Sequence, residues 1–469
     1  MNELQRKRAH GAGRMPLVKD HAWVVLAMLL ALPGGRASGQ AVEPEQSPTA
    51  ATPVVITLDE AIHRAQLNDP AYAAAVADQR STALDRSIAL AALLPNVVYH
   101  NQYLYTQPNG SINASERPGL QQNPKFIASN AVREYVSQGQ VNEVLGLDQV
   151  AAYRRAGALS AQSQAEREVA RRGLIVSVVS AYYTLLAADQ RVKVARRSAL
   201  ETQHFHTLSQ QLEGGGEVAH ADVVKATLQQ QQRERDLADA TLAAQKARLD
   251  LGVLLFADPR TQFTLADDTA TPPAAPLRGE VDAAAAKNNP ELRSALAAVR
   301  AADEDVTLSR AGYLPSLALN YTYGIDAPQF ATNGADGIRN LGYSASATLD
   351  IPIWDWLATR DRVKQGELQR NVAKTALNFA QRRLLAQLEE LYAETRTSSD
   401  ALASLQESVD TARESLRLTN LRYNSGEATA LEVVDAQNAL TAAENAHADG
   451  IIRYRMALAN LQTLTGNMP

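Results

Sequence analysis

Apolar and polar positions change period along this chain, and the order of changes occurs twice. Leu317, Leu319, Tyr321, Tyr323 and Ile325 alternate with Ser316, Ala318, Asn320, Thr322 and Gly324. Leu341, Tyr343, Ala345, Ala347, Leu349 and Ile351 do the same against small or polar neighbours. A period of two predicts strands over about 316–325 and 341–351, each with one greasy and one polar face. The period then lengthens. No proline and only isolated glycine falls in 147–213 or 358–424, so each run predicts one unbroken helix of about 100 Å at 1.5 Å per residue. Within the second run, Leu384, Leu388, Leu391, Thr395, Ser398, Leu402, Leu405, Val409, Ala412 and Leu416 recur in steps of four and three, a heptad seam. Glycine-bearing turns at about 213–219 and 423–429 reverse the chain into return helices over 219–256 and 428–465.

The two halves share their punctuation. A shift of 220 carries Pro70 onto Pro290, Pro95 onto Pro315 and Tyr103 onto Tyr323; a shift of 210 carries Tyr182 onto Tyr392, Gly216 onto Gly426 and Val223 onto Val433. So long a period excludes a solenoid, whose unit is about 20 to 50 residues, and marks a duplicated half-protein: a first repeat over 57–265 and a second over 280–469, joined by a linker over 266–279. In each half an Asx–Pro pair opens a helix that a Leu-Pro pair ends (Asp69 and Pro70, Asn289 and Pro290), and Thr57 with Glu60 forms a capping-box pattern just upstream. One long helix is then matched by two shorter ones stacked end to end, with strands at one pole and a helical tip at the other. The first-half strands, about 96–107 and 131–141, are fainter, since Asn101, Arg133 and Ser137 interrupt their apolar phase.

Composition narrows the classes. The chain has no cysteine, which removes disulfides, thiol catalysis, cysteine-held zinc and an N-terminal lipid anchor. His204 and His206 stand two apart in a helical pattern and do not share a face, so no metal is expected there. The EGGGE run at Glu213–Glu217 lacks the following Lys-Ser/Thr of a phosphate loop. No thiol, zinc or phosphate-loop chemistry is therefore expected. Arg6, Lys7, Arg8, Arg14 and Lys19 precede an apolar run over 22–32, followed by small residues to Gly39; residues 1–39 read as a signal peptide, with Met15 a second candidate start and 40–56 a linker. The formal charge of −5 becomes more acidic without that basic leader, which leaves no basic surface for nucleic acid. An exported chain with strands of about ten residues admits two readings: a soluble hairpin with one buried face, or membrane strands. Four strands cannot close a barrel, and open edges are not tolerated in hydrocarbon, so membrane strands require copies: two give eight strands, three give twelve.

The segment RYNSGEATALEVVDAQNAL at 422–440, its weaker copy LEGGGEVAHADVVKATLQQ at 212–230, the NDP and NNP helix starts and the Leu-Pro pairs before the strands resemble the TolC-type outer-membrane efflux proteins. That resemblance implies a mainly α fold with membrane β: long coiled-coil hairpins form a periplasmic α-barrel, and four strands per chain contribute to a twelve-stranded outer-membrane barrel in a homotrimer. The implied role is an exit duct in the outer membrane of a Gram-negative bacterium, and the resemblance implies neither a cofactor nor enzymatic activity. It would work with a periplasmic adaptor (membrane fusion) protein and an inner-membrane pump or secretion ATPase. A non-conducting periplasmic coiled-coil scaffold is the competing class, and a protein-secretion duct the competing cargo. The resemblance places Glu432 and Asp435 at a periplasmic constriction, Asp222 and Tyr423 in a gate latch, and Gly216, Glu217, Val218, Gly426, Glu427 and Ala428 at the adaptor contact. Spacing agrees for the acids, because positions i and i+3 share a helix face. Three copies would crowd six carboxylates, favouring cations and raising some of their pKa values. The latch arginine of the family is Ala428 here. Only the second repeat carries Tyr423, Glu432 and Asp435; Glu213, Asp222 and Lys225 stand at the matching places of the first.

Overall fold

The computed structural model describes residues 54–105, 133–267, 273–334 and 337–466, all within one compact unit. The expected signal peptide at 1–39, most of the 40–56 linker, residues 106–132 with the facing ends of the expected strands 96–107 and 131–141, and the middle of the inter-repeat linker lie outside those residues. In order, the elements are β1 (Val54–Ile56), α1 (Leu58–Asn68), α2 (Pro70–Ala91), β2 (Asn96–Tyr105), β3 (Arg133–Leu145), α3 (Leu147–Gly214) and α4 (His220–Leu255). The second repeat follows β4 (Phe263–Leu265) with α5 (Arg278–Asn288), α6 (Pro290–Ala311), β5 (Ser316–Ala327), β6 (Leu341–Asp350), α7 (Ala358–Asn424) and α8 (Ala430–Thr465).

Local chemistry accounts for the boundaries. Asp69 accepts from the Tyr72 N–H at 2.6 Å and Asn289 from the Leu292 N–H at 2.8 Å, each just before a proline whose missing N–H costs nothing in the first turn. Thr57 caps α1 by accepting from the Glu60 N–H, but the Glu60 carboxylate turns to Arg64 at 2.6 Å, so only half of the expected box forms. Helices α2 and α6 end at Ala91 and Ala311, a few residues before the prolines. The residue preceding proline is barred from helical geometry, and tight turns such as Leu94 N–H to Ala91 O take up the last carbonyls.

The element order is the same at every level. Strands β2-β3-β5-β6 form one antiparallel sheet. Below it, α2 and α4 pack on one flank of α3, α6 and α8 on its other flank, and α7 lies beyond them. The 68-residue α3 is thus matched by α2 and α4, of 22 and 36 residues, as the lengths required. The seam of α7 is buried at Leu384, Leu388, Thr395, Ser398, Val409 and Leu416, with Leu391, Leu402, Leu405 and Ala412 partly covered, which is the heptad read from the sequence.

One pairing was not anticipated. Val54–Ile56, assigned to the linker, is a strand pairing in parallel with Phe263–Leu265. Ile56 and Phe263 join Ile62, Val178, Tyr182, Leu251 and Leu255 in the largest buried cluster, where α1 packs on α3 and α4. Two tyrosines fasten the joint between repeats to it: Tyr182 donates to Ala266 O at 2.7 Å, and Tyr454 to Pro273 O at 2.5 Å. Tyr182→Phe is expected to lower stability by about 1 kcal/mol, the net worth of one such hydrogen bond, without changing the fold; urea unfolding followed by circular dichroism measures it.

Candidate functional site

Register decides what the sheet can do. Leu317, Leu319, Tyr321, Tyr323 and Ile325 stand opposite Leu349, Ala347, Ala345, Tyr343 and Leu341, and Val141 links that row to Val97, giving an apolar face that crosses all four strands and is interrupted on β3 by Glu143, opposite Leu319. Three residues had broken this phase in the first half. Two of them neutralise each other: Asn101 is the register partner of Ser137, whose hydroxyl donates to Asn101 Oδ1 at 2.7 Å and receives the Tyr99 hydroxyl at 2.8 Å. The third, Arg133, sits in the last ladder pair, opposite Tyr105. The other face carries Gln138, Gln140, Asn320, Thr322, Ser344 and Ser346, together with the acids Glu134 and Asp326 toward the tip of the strands and Asp350 at the end of β6.

Both margins of this layer are open. The outer edges of β2 and β6 have no strand partner among the described residues. The helices beneath them expose apolar stripes: Leu84 and Ile88 on α2, Leu242, Leu249 and Val253 on α4, and Leu368, Val372 and Phe379 on α7. A row of unpaired backbone groups above a row of exposed leucines calls for another polypeptide along each margin.

At the opposite pole the two helical tips are built alike. Gly216 (φ 75°) and Gly426 (φ 78°) take the left-handed conformation that closes each turn, with Glu217 N–H donating to Leu212 O and Glu427 N–H to Arg422 O. Phe205, Ala226, Tyr423, Ala430 and Val433 form a buried cluster between the hairpins, with Val218 and Ala428 packed on its rim. Of the six expected adaptor contacts, Gly216, Glu217, Gly426 and Glu427 are exposed, whereas Val218 and Ala428 are half covered by this cluster.

The expected latch pair is not joined. Tyr423 is buried with its ring 5.1 Å from that of Phe205, and its hydroxyl meets Ser209 at 3.1 Å, not Asp222. Asp222 occupies the first turn of α4, partly exposed. Further along the same inter-hairpin seam, Thr441 donates to Ser198 at 3.4 Å, Arg197 pairs with the buried Glu444, and Arg191 pairs with Asp449 at 2.8 Å. These rungs put a polar stretch into the contact between α3 and α8, between the apolar clusters around Tyr423 and Ile452.

Glu432 and Asp435 share the first turns of α8, both exposed. Glu432 completes a capping box that the sequence carries as Thr429-x-x-Glu432: Thr429 N–H donates to Glu432 Oε1 at 3.1 Å and Glu432 N–H to Thr429 Oγ1 at 3.4 Å. Arg422 lies 3.3 Å from the remaining carboxylate oxygen, across the turn. The Thr429 backbone N–H above all, then its hydroxyl and the Arg422 charge, hold the Glu432 carboxyl below the ordinary glutamate range. A depressed folded value means that the contribution of the cap is present above the usual glutamate range and fades as pH falls through the lower folded value. No cluster of three or more metal-ligating side chains occurs among the described residues.

Residues 283–467 match the family model described as Outer membrane efflux protein. The chain is 25% identical to the pyoverdine export outer membrane protein OpmQ of Pseudomonas aeruginosa over 87% of its own length and 83% of that protein's. It is also 25% identical to the alkaline protease secretion protein AprF of the same species, over 86% and 83%. Its fold is that of the CmeC outer membrane channel of Campylobacter jejuni, with a TM-score of 0.75 at 15% identity, covering 91% of this chain and 90% of the other.

Proposed function

We propose, from the premise that this chain belongs to the outer membrane efflux protein family, that it is one subunit of a trimeric exit duct across the outer membrane. The observation that carries this reading is the shared order of strands and helices with both margins left open. Ring closure pairs β6 of one copy with β2 of the next and lays the α7 stripe against the α2 and α4 stripes. That one operation satisfies the backbone edges and covers the leucines together. Three copies make a twelve-stranded barrel, apolar outside and lined inside by amides, hydroxyls and the acids Glu134, Asp326 and Asp350, continued by a helical tunnel into the periplasm.

In this arrangement the sheet holds the duct in lipid and the tips control its inner mouth. The Tyr423 cluster and the polar rungs between α3 and α8 hold the second hairpin of each chain against the first. A seam of hydroxyls and ion pairs separates at lower cost than a dry apolar one, because water replaces its contacts. Gly216, Glu217, Gly426 and Glu427 face the periplasmic adaptor, and an inner-membrane pump or secretion ATPase supplies energy and chooses cargo. OpmQ is named for exporting a small molecule and AprF for secreting a protein, so one wall serves both kinds of cargo. The chain itself performs no chemistry in this account. A soluble scaffold would leave the whole apolar face of the sheet in water, and that disfavours it.

Separating soluble periplasm from membranes tests the reading, which requires recovery in the outer-membrane fraction. Photo-crosslinkers at Glu217 and Glu427 are then expected to capture an adaptor. Alanine at both Glu432 and Asp435 is expected to weaken cation preference in planar-bilayer recordings, seen as a smaller reversal potential in a salt gradient. An unchanged reversal potential would remove these acids from the pore wall.

A further inference from the structure

Just past the last pair of β6 the chain does something the first repeat does not. Ile351 and Ile353 continue the apolar alternation beyond Asp350, and Ile353 is 92% exposed. Trp354 and Trp356 follow, 67% and 85% exposed, their rings edge to face with centroids 5.9 Å apart. Trp356 and Leu357 both adopt the left-handed conformation, at φ 56° and 67°. Side chains bearing a Cβ take it only when the surroundings enforce it. Here the enforcement is visible. The Asp355 carboxylate accepts from the Thr359 N–H at 2.7 Å, and Thr359 is buried against Gly312, where an added Cβ would come within 3.2 Å of it. The matching stretch of the first repeat is regular strand to Leu145, followed by Gly146 at an extended φ of −146°.

Backbone strain is thus retained where its visible result is the display of two indoles and two isoleucines. The chain has three tryptophans, and the third, Trp23, lies in the leader. Past the indoles, Arg360, Arg362 and Lys364 stand against Asp355 and Asp361, Arg360 lying 3.1 Å from Asp361, which leaves a small excess of positive charge. An apolar band, then indoles, then cations is the sequence of environments met on leaving hydrocarbon through the headgroups. Hydrocarbon itself would not accept Asp355 or the basic residues, and bulk water gives no reason to display Ile353.

We propose that the Ile353–Leu357 turn is an interfacial anchor seated among the phospholipid headgroups of the periplasm-side leaflet, its indoles at the acyl boundary and Arg360, Arg362 and Lys364 toward the phosphates. This rests on the membrane reading above. It adds a site that fixes the depth of the barrel once per subunit. The chain lacks a cysteine for a lipid anchor, so this turn supplies depth control by a different route.

The test uses a Trp23→Phe chain, in which only Trp354 and Trp356 emit, reconstituted into phosphatidylglycerol-containing vesicles with bromine placed either close to the headgroup or at the acyl terminus. Headgroup-proximal bromine is expected to quench emission about twofold and terminal bromine far less. Trp354→Phe and Trp356→Phe, each conservative, should retain quenching of the remaining indole. Trp356→Gly should relieve the strain, assemble normally and lose one of the two anchors. Emission like that of tryptophan in water, unquenched by either lipid, overturns the proposal. So does unquenched blue-shifted emission that reddens when the oligomer is dissociated, since a neighbouring copy would then be the cover. Co-flotation with the vesicles separates the two levels. Protein that does not float defeats the membrane reading itself, whereas protein that floats with unquenched indoles defeats the anchor alone.

Discussion

Arginine in place of Tyr321 is expected to remove the protein from the outer membrane, whereas arginine at the adjacent Thr322 is expected to leave it there. Both positions lie mid-strand in β5, one residue apart, and differ only in the face they occupy. On the apolar face a guanidinium near the bilayer midplane costs about 2–4 kcal/mol per copy, and ring closure repeats it in every subunit. On the polar face it enters a water-filled lumen beside Asn320 and Ser344, where its charge is hydrated. Immunoblots of fractionated cells read the difference. Equal recovery of both variants in the membrane would mean that the faces have been assigned wrongly.

The second large effect is expected at the tip. Tyr423→Ala empties the centre of the cluster formed by Phe205, Ala226, Ala430 and Val433, where an aromatic-to-alanine change costs about 3–5 kcal/mol. The two hairpins lose the contact between Tyr423 and Phe205, which is expected to loosen the inner mouth. Reconstituted channels should conduct more in the resting state than the wild type. Tyr423→Phe keeps the ring packing and loses only the bond to Ser209, about 1 kcal/mol, so it should behave nearly as the wild type. Asp222→Asn should do little, because Asp222 has no bond to Tyr423 in this fold. If Asp222→Asn opened the channel as far as Tyr423→Ala, the latch would run between copies through Asp222.

What was legible in the sequence, and what was not, follows from range. The heptad of α7, the Asp69 and Asn289 caps, the glycine turns at 216 and 426 and the alternation of β5 and β6 are decided by neighbours within a turn or a few strand residues, and the structure holds all of them. The pairing of Val54–Ile56 with Phe263–Leu265 joins three-residue strands some two hundred positions apart, too short to show a period. The apparent defect at Asn101 and Ser137 likewise dissolves only when register sets them opposite each other. At the tips, the resemblance pairs Tyr423 with Asp222, whereas within the chain the Tyr423 hydroxyl meets Ser209. Ser209 and Phe205 come from α3, and nothing local in the sequence points to them. The Thr429-x-x-Glu432 box was readable and would have shown that Glu432 has work inside its own chain as well as toward a pore. The Trp354 turn was visible only as two aromatic letters; its left-handed backbone is a property of how Asp355 and Thr359 meet.

The proposed function depends on closure of the open margins into a conducting ring. Single-channel current across a planar bilayer holding the purified protein tests that directly. The account predicts discrete conductance steps with a reversal potential displaced toward the cation limit in a salt gradient. Protein that incorporates into the bilayer yet passes no current would contradict it.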